Sequence, residues 1–128
     1  MFSHIMLGSN DLDRSKTFYD AVLGAIGAKP GAFDPLGRLV YMHNGGRLLI
    51  SKPIDGQAAS HANGGTIGFG METAAQADAW HTAGMANGGT AIEDTPGERV
   101  TPFGPLYLAY LRDPDGNKLC ALHRVAMM

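Results

Sequence analysis

One histidine, one cysteine and two tyrosines are the residues of this sequence best suited to bind or transform a small molecule. His4 can ligate a metal, exchange a proton near neutral pH, or hydrogen-bond in a structural role. Cys120 is a nucleophile, a soft metal ligand or an inert buried side chain, and nothing in the sequence supplies a base or cation to activate it. Tyr41 and Tyr110 either donate to a common ligand or pack across strands.

The segments that must position these side chains alternate between strand and helix patterns. Residues 4–8 and 66–70 alternate as strands do, and each is followed by apolar residues at helical spacing. Asp11 and Thr73 stand where each helix would begin, as expected of N-cap residues. The second strand and helix match the first at an offset of 62 positions.

Two hairpins follow the predicted helices. Residues 39–51 flank a glycine-rich loop, and residues 106–123 flank the turn sequence DPDGN. Tyr41 matches Tyr110 at an offset of 69, so the second copy carries seven extra residues, within residues 90–105. An internal repeat of a strand, a helix and further strands is therefore predicted.

The repeat predicts a single α+β domain with two modules. The first module covers residues 1–53, a linker covers residues 54–63, and the second module covers residues 64–128. A length of 128 residues is sufficient for one full core and too short for two independent domains.

Alternation along the strands predicts which side chains face the helices and which face a cavity. The helix-facing set is predicted to be Ile5, Leu7, Val40, Met42, Leu48, Ile50, Ile67, Phe69, Leu119 and Ala121. The opposite set is a mixture of small, polar and aromatic groups that suits a curved sheet face around a ligand. Its members are His4, Met6, Gly8, Tyr41, Leu49, Ser51, Thr66, Gly68, Gly70, Tyr110, Cys120 and Leu122.

Composition excludes several classes of protein. Ten Lys and Arg residues against twelve Asp and Glu residues give a net charge of -2 without a basic cluster, so nucleic acid is not an expected partner. The apolar residues of the opening segment give way to charged residues too soon for a signal sequence or a membrane span, so no membrane partner is expected. One cysteine forms no internal disulfide, which favours a cytoplasmic location.

The two ends of the chain resemble those of the glyoxalase/bleomycin-resistance/dioxygenase superfamily, also called vicinal oxygen chelate. The opening segment HIMLGSNDLDRSKTFYDAVLG is similar to the family's first strand and helix, and YLRDPDGNKLCALH is similar to its last hairpin. The resemblance implies a glyoxalase-like fold of two βαβββ modules, whose mixed sheet cups one cavity, usually in a homodimer.

The resemblance also implies where a divalent metal would be held, at four strand positions usually filled by His, Glu or Gln. Those positions correspond to His4, Leu49, Thr66 and Cys120, of which only His4 is a usual ligand. A catalytic metal needs about three protein ligands. We therefore expect no metal and no other cofactor, and a ligand cavity formed by His4, Tyr41, Leu49, Thr66, Tyr110 and Cys120, with no catalytic residue assigned.

Three functions are compatible with this site. The favoured hypothesis is a homodimer that binds a small molecule in a sheet-lined cavity without the usual metal. The alternative is a metal-dependent lyase, thiol transferase or dioxygenase of the same superfamily, similar to lactoylglutathione lyase. A third hypothesis is a structural dimer with a vestigial cavity, since fold alone does not determine function.

Overall fold

The computed structural model describes residues 1–125, which form two helices and nine strands. The helices are α1 (Leu12–Gly24) and α2 (Ala74–Ala86). The strands are β1 (Ile5–Gly8), β2 (Ala32–Phe33), β3 (Leu39–His43), β4 (Gly46–Ser51), β5 (Ile67–Gly70), β6 (Thr90–Ala91), β7 (Gly97–Thr101), β8 (Gly104–Arg112) and β9 (Lys118–Arg124). As predicted, the side chains of Asp11 and Thr73 accept hydrogen bonds from the first turns of α1 and α2.

Two mixed sheets carry the repeat, and the predicted α+β, glyoxalase-like fold class is confirmed. The first sheet has the strand order β1-β4-β3-β2, and the second has the order β5-β9-β8-β6. In each sheet the opening strand runs parallel to the closing one, so that β1 pairs with β4 and β5 with β9. The second module differs by one strand, because β7 lies within residues 90–105 and also pairs with β8.

Both helices pack on the same side of the sheets and share one core. Gly84 of α2 permits a close approach, because a side chain there would clash with Leu111 and would press on Val22 and Phe18 of α1. The largest fully buried side chains are Trp80, Tyr19, Phe18, Leu39, Ile50, Leu111 and Leu119. The other side of each sheet, which we call the outer face, carries no helix.

The turn between β8 and β9 fastens the second module to the first. Tyr19 of α1 donates to the buried Asp113 carboxylate over 2.6 Å. The Asp115 carboxylate accepts from the Asn10 backbone over 2.9 Å and from the Arg14 guanidinium over 2.8 Å. The Asn117 amide donates to the Gly8 carbonyl, at the end of β1. These contacts fix how the two sheets lie relative to each other.

The predicted face assignment is correct for four strands and wrong for one. Side chains of β1, β4, β5 and β9 predicted to face the helices do pack against the shared core. On β3, however, Leu39 and Tyr41 are the buried core residues, whereas Met42 is exposed. The cause is the two-residue turn at Asn44 and Gly45, both at positive φ, which pairs Tyr41 with the core residue Leu48.

Candidate functional site

A cleft of about 500 Å³ lies between the two modules and is lined by residues of both. It runs between β1 and β5, each of which has a single strand partner among residues 1–125. Helix-facing side chains of both strands line it, together with the end of α1, the segment just after it, and Gly68 and Gly70 of β5. The apolar lining residues are Phe2, Ile5, Leu23, Ile26, Leu48, Ile67 and Phe69.

One end of this cleft is polar. His43, Asn44 and Arg47 of the β3–β4 hairpin line it, as do Ser3 and His4 ahead of β1. The Ser3 hydroxyl and the Nδ1 atom of His4 are hydrogen-bonded over 2.8 Å, so Nε2 is the ring nitrogen left to face a ligand. The lining includes no aspartate or glutamate. The cleft therefore combines an apolar body with hydrogen-bond donors and potential cations at one end.

The outer face of the second sheet is an apolar surface that adjoins the cleft, because Gly68 and Gly70 of β5 line both. Leu106, Leu108 and Cys120 form a cluster there, against which Tyr110 and Leu122 pack. Beside them on β5, Gly68 pairs with Cys120 and Gly70 pairs with Leu122. Neither glycine would bring a Cβ within 4 Å of another atom, so open space lies above this strand.

Tyr110 and Cys120 lie side by side on that outer face in directly paired positions. The Lys118 ammonium lies 5.1 Å from the centre of the Tyr110 ring and forms an ion pair with Glu93. Burial raises the pKa of the Cys120 thiol, although the hydrogen bond from Tyr110 lowers it. The thiol therefore stays protonated near neutral pH and is not an activated nucleophile.

The outer face of the first sheet is also apolar and partly exposed. Leu49 pairs with Met6 on β1 and with Val40 on β3, and all three leave their strands on the side opposite the core. Met6 and Met42 are exposed, whereas Leu49 is buried. The structure thus provides two apolar outer faces, one on each sheet.

Tyr41 belongs to the helix side and is held there by Asp20. Its hydroxyl donates to the Asp20 carboxylate over 2.7 Å. The same carboxylate accepts from the Lys16 ammonium over 2.6 Å and from the Gly31 backbone over 2.9 Å. Burial is the largest cause that raises the pKa of Tyr41, and the hydrogen bond to Asp20 raises it further. Tyr41 is therefore a neutral donor engaged within the protein.

Comparison with known proteins places the chain in a family. The sequence profile of the Glyoxalase/Bleomycin resistance protein/Dioxygenase superfamily matches residues 1–121, so the chain belongs to this superfamily. The crystal structure of a glyoxalase/bleomycin resistance protein from Albidiferax ferrireducens T118 is 56% identical, with a TM-score of 0.94 over 97% of this chain and 99% of that one.

More distant structures share the fold alone. A lactoylglutathione lyase from Agrobacterium tumefaciens is 21% identical, with a TM-score of 0.66 over 96% of this chain and 92% of that one. A hypothetical protein from S. aureus is 20% identical, with a TM-score of 0.73 over 97% and 94% of the two chains. No curated protein matches the chain.

The four positions that correspond to the family's metal ligands do not fit a divalent cation here. Leu49 has no donor atom, Thr66 offers a neutral hydroxyl, and the Cys120 thiol is held protonated by burial. Residues 1–125 include no group of three or more His, Cys, Asp or Glu side chains arranged to hold a metal. His4 is thus left without co-ligands, and we derive no step through a metal.

The structure divides the six predicted cavity residues between separate surfaces. His4 and Tyr41 line the cleft. Leu49 lies on the outer face of the first sheet, Tyr110 and Cys120 lie on that of the second, and Thr66 is exposed just before β5. Tyr41 lies on the opposite face from the one predicted, because its hydroxyl points to α1 and cannot meet that of Tyr110 across a cavity.

The alternation along the strands does not reveal the cleft, because it predicts only that Ile5 and Ile67 face the helices. Ile5 and Ile67 do pack on the core, but they are only partly buried, because they lie on strands with one sheet neighbour. The signal available in the sequence was that each module opens with such a strand.

Among the described residues, the helices are too short or too polar to cross a membrane.

Proposed function

We propose that the protein binds a small, largely apolar molecule at its outer sheet faces, without the divalent metal that many relatives use. The observation that carries this proposal is the outer face of the second sheet. Its cluster of Leu106, Leu108 and Cys120 lies beside the open space above Gly68 and Gly70. A floor of glycines beside apolar walls suits a flat apolar ligand, and the neutral Tyr110 phenol is available for an oxygen atom of that ligand.

A second copy of the chain closes this site in our proposal. Each outer face is apolar and lacks a covering helix, and a symmetric pair would bury the first sheet of one copy against the second sheet of the other. Exposed Met6 and Met42 on the first sheet supply a flexible apolar surface for that contact. Light scattering should give twice the chain mass of 13.5 kDa. A monomer at micromolar concentration would contradict the shared cavity.

A glycine substitution tests the binding surface. We expect Gly68→Val to fill the space above β5 while the fold persists, because a Cβ there meets nothing within 4 Å. With 2-naphthol as the probe, isothermal titration should show binding weakened about tenfold or more. Gly24→Ala, at the end of α1 and equally free of close contacts, is the matched control and should bind as the wild type does. Equal affinity in both variants would place naphthol elsewhere.

Elemental analysis distinguishes this proposal from the metal-dependent alternative. We expect purified, tag-free protein to hold no stoichiometric transition metal. One metal per chain that is lost in His4→Ala would instead favour a lyase, thiol transferase or dioxygenase. We further propose a cytoplasmic location, supported by a single cysteine that is free and buried.

A further inference from the structure

We propose that the outer face of the second sheet binds an acid, a flat apolar body with one carboxylate that is recognised by the Arg99 guanidinium. This inference rests on the proposed function, because it names the class of ligand for the same site. It is carried by a row of paired residues that crosses the sheet, from the open space at β5 to the guanidinium at β7.

Strand pairing aligns this row on the outer face. Gly70 of β5 pairs with Leu122 of β9. Leu122 pairs in turn with Leu108 of β8, and Leu108 pairs with Gly97 of β7. Neighbouring strands lie about 4.8 Å apart, so the row is about 14 Å long. Two leucines form its middle and a glycine lies at each end, which leaves room for a flat apolar body along the row.

The Arg99 guanidinium occupies the space above Gly97. A Cβ at Gly97 would lie 3.3 Å from Nη1 of Arg99, so the guanidinium lies on the same face as the paired Leu108. Nη1 donates to the Gly97 carbonyl over 2.9 Å, and Nη2 donates to the Asp94 and Thr95 carbonyls over 3.3 Å and 3.0 Å. These bonds hold the guanidinium in place before a ligand arrives, which reduces the entropy cost of binding.

No carboxylate of the described chain cancels the charge of Arg99. Its acceptors are neutral carbonyls, and Arg99 takes part in none of the ion pairs formed within residues 1–125. The other charged residues that β8 and β9 place on this face are the cations Arg112, Lys118 and Arg124, and Glu93 pairs with Lys118. A guanidinium binds a carboxylate through charge-assisted hydrogen bonds, whereas a cationic ligand would meet like charge. The face therefore selects an anion.

Tyr110 lies close to the same end of the row. It follows Leu108 on the outer face of β8, where it pairs with Cys120. Burial is the largest cause that raises the pKa of Tyr110, and the positive charge of Arg99 opposes that rise, so the two side chains interact. The phenol proposed above to contact an oxygen atom of the ligand and the guanidinium thus address the same group of that ligand.

Two ligands with the same apolar body test this assignment. At pH 7 2-naphthoate is an anion and 2-naphthol is neutral, and isothermal titration should show naphthoate binding the wild type at least about tenfold more tightly. In Arg99→Gln the affinity for naphthoate should fall about tenfold or more, whereas that for naphthol should change less than about twofold. Arg99→Lys keeps the charge and should lose less naphthoate affinity than Arg99→Gln does.

Arg124→Gln is the matched control on the same face. Arg124 pairs with Leu106, but its guanidinium is directed to the Phe103 carbonyl, in the turn between β7 and β8 and away from the row. Its loss should lower naphthoate affinity less than about threefold, because the charge is exposed and screened. Equal losses in Arg124→Gln and Arg99→Gln would show a general attraction of anions to a basic surface and would overturn the assignment to Arg99.

Leucine methyl groups report where naphthoate binds. Labelled methyl signals of Leu108 and Leu122 should shift on its addition, while that of Leu36, exposed ahead of β3, should stay in place. Unshifted signals of Leu108 and Leu122 would overturn the proposal, and so would naphthoate binding no tighter than naphthol or an equal loss of both ligands in Arg99→Gln. Failure of the proposed function has a different signature, because Gly68→Val would then bind naphthol as the wild type does.

Discussion

The two hairpins look alike in sequence, yet they place their tyrosines on opposite faces. Tyr41 pairs with Leu48 and faces α1, whereas Tyr110 pairs with Cys120 and faces outward. The turns account for the difference. The first hairpin closes with two residues between His43 and Gly46, and the second closes with five between Arg112 and Lys118.

When a hairpin turn has an even number of residues, each odd-numbered position on one strand pairs with an even-numbered position on the other. When the turn has an odd number of residues, the two paired positions are both odd-numbered or both even-numbered, a property that we call parity. Because side chains alternate along a strand, this parity decides which face a matched residue occupies. In structural terms Tyr41 corresponds to Leu111, which pairs with the core residue Leu119, and Val40 corresponds to Tyr110. Turn length therefore predicts which residues of the two modules occupy equivalent positions better than residue identity does.

The largest effect expected from this difference is on stability. Tyr41→Ala should lower the free energy of unfolding by about 3–5 kcal/mol, because it removes a buried ring from the shared core. Tyr110→Ala should cost about 1–2 kcal/mol, because this ring is only partly buried on the outer face. Urea denaturation at one protein concentration measures both. Equal losses would mean that the two tyrosines are equivalent after all.

Substitution by phenylalanine removes only the hydroxyl group of each tyrosine. Tyr41→Phe should cost about 1–2 kcal/mol, since it deletes the 2.7 Å hydrogen bond to the partly exposed Asp20 carboxylate. Tyr110→Phe should cost about 0.5 kcal/mol or less, because its hydroxyl contacts a thiol on an accessible surface. In an Asp20→Asn background the cost of Tyr41→Phe should shrink, and an unchanged cost would assign it to packing instead.

The sequence predicted the elements well because local signals carry them. Capping residues at Asp11 and Thr73, helical spacing and the turn 113–117 each act over a few positions. The Asn44–Gly45 pair was also visible, and its two-residue turn would have given the face of Tyr41. The cleft was not predictable in this way. It forms where β1, β5 and the end of α1, which are far apart in sequence, come together in the folded chain.

The stability of the protein at acid pH also distinguishes Tyr41, which is bound to Asp20, from Tyr110. Burial alone would raise the pKa of Asp20, but hydrogen bonds from Lys16, Gly31 and Tyr41 outweigh it and hold the pKa below its ordinary value of 3.8. A carboxyl whose pKa is lower in the folded state stabilises the protein above its unfolded pKa, and that contribution is lost as pH falls through the folded pKa.

We therefore expect the wild type to exceed Asp20→Asn in stability above about pH 4, and the difference to vanish as the pH falls below that value. Denaturation between pH 2 and 7 measures it. Tyr110→Phe is the control, and its stability should follow the wild-type pH dependence. A gap between wild type and Asp20→Asn that persists at the lowest pH would show that charge at Asp20 does not hold Tyr41.

The smallest effect concerns the chemistry of the outer face. The Cys120 thiol has a pKa raised by burial, and the hydrogen bond from Tyr110 opposes that rise. Removing this hydrogen bond in Tyr110→Phe should raise the thiol pKa further and slow its reaction with Ellman's reagent at pH 8, by less than the tenfold change of about one pKa unit. Tyr41→Phe, on the other face, should leave this rate unchanged. A faster reaction in Tyr110→Phe would show that the phenol shields the thiol from the reagent more than it stabilises the thiolate.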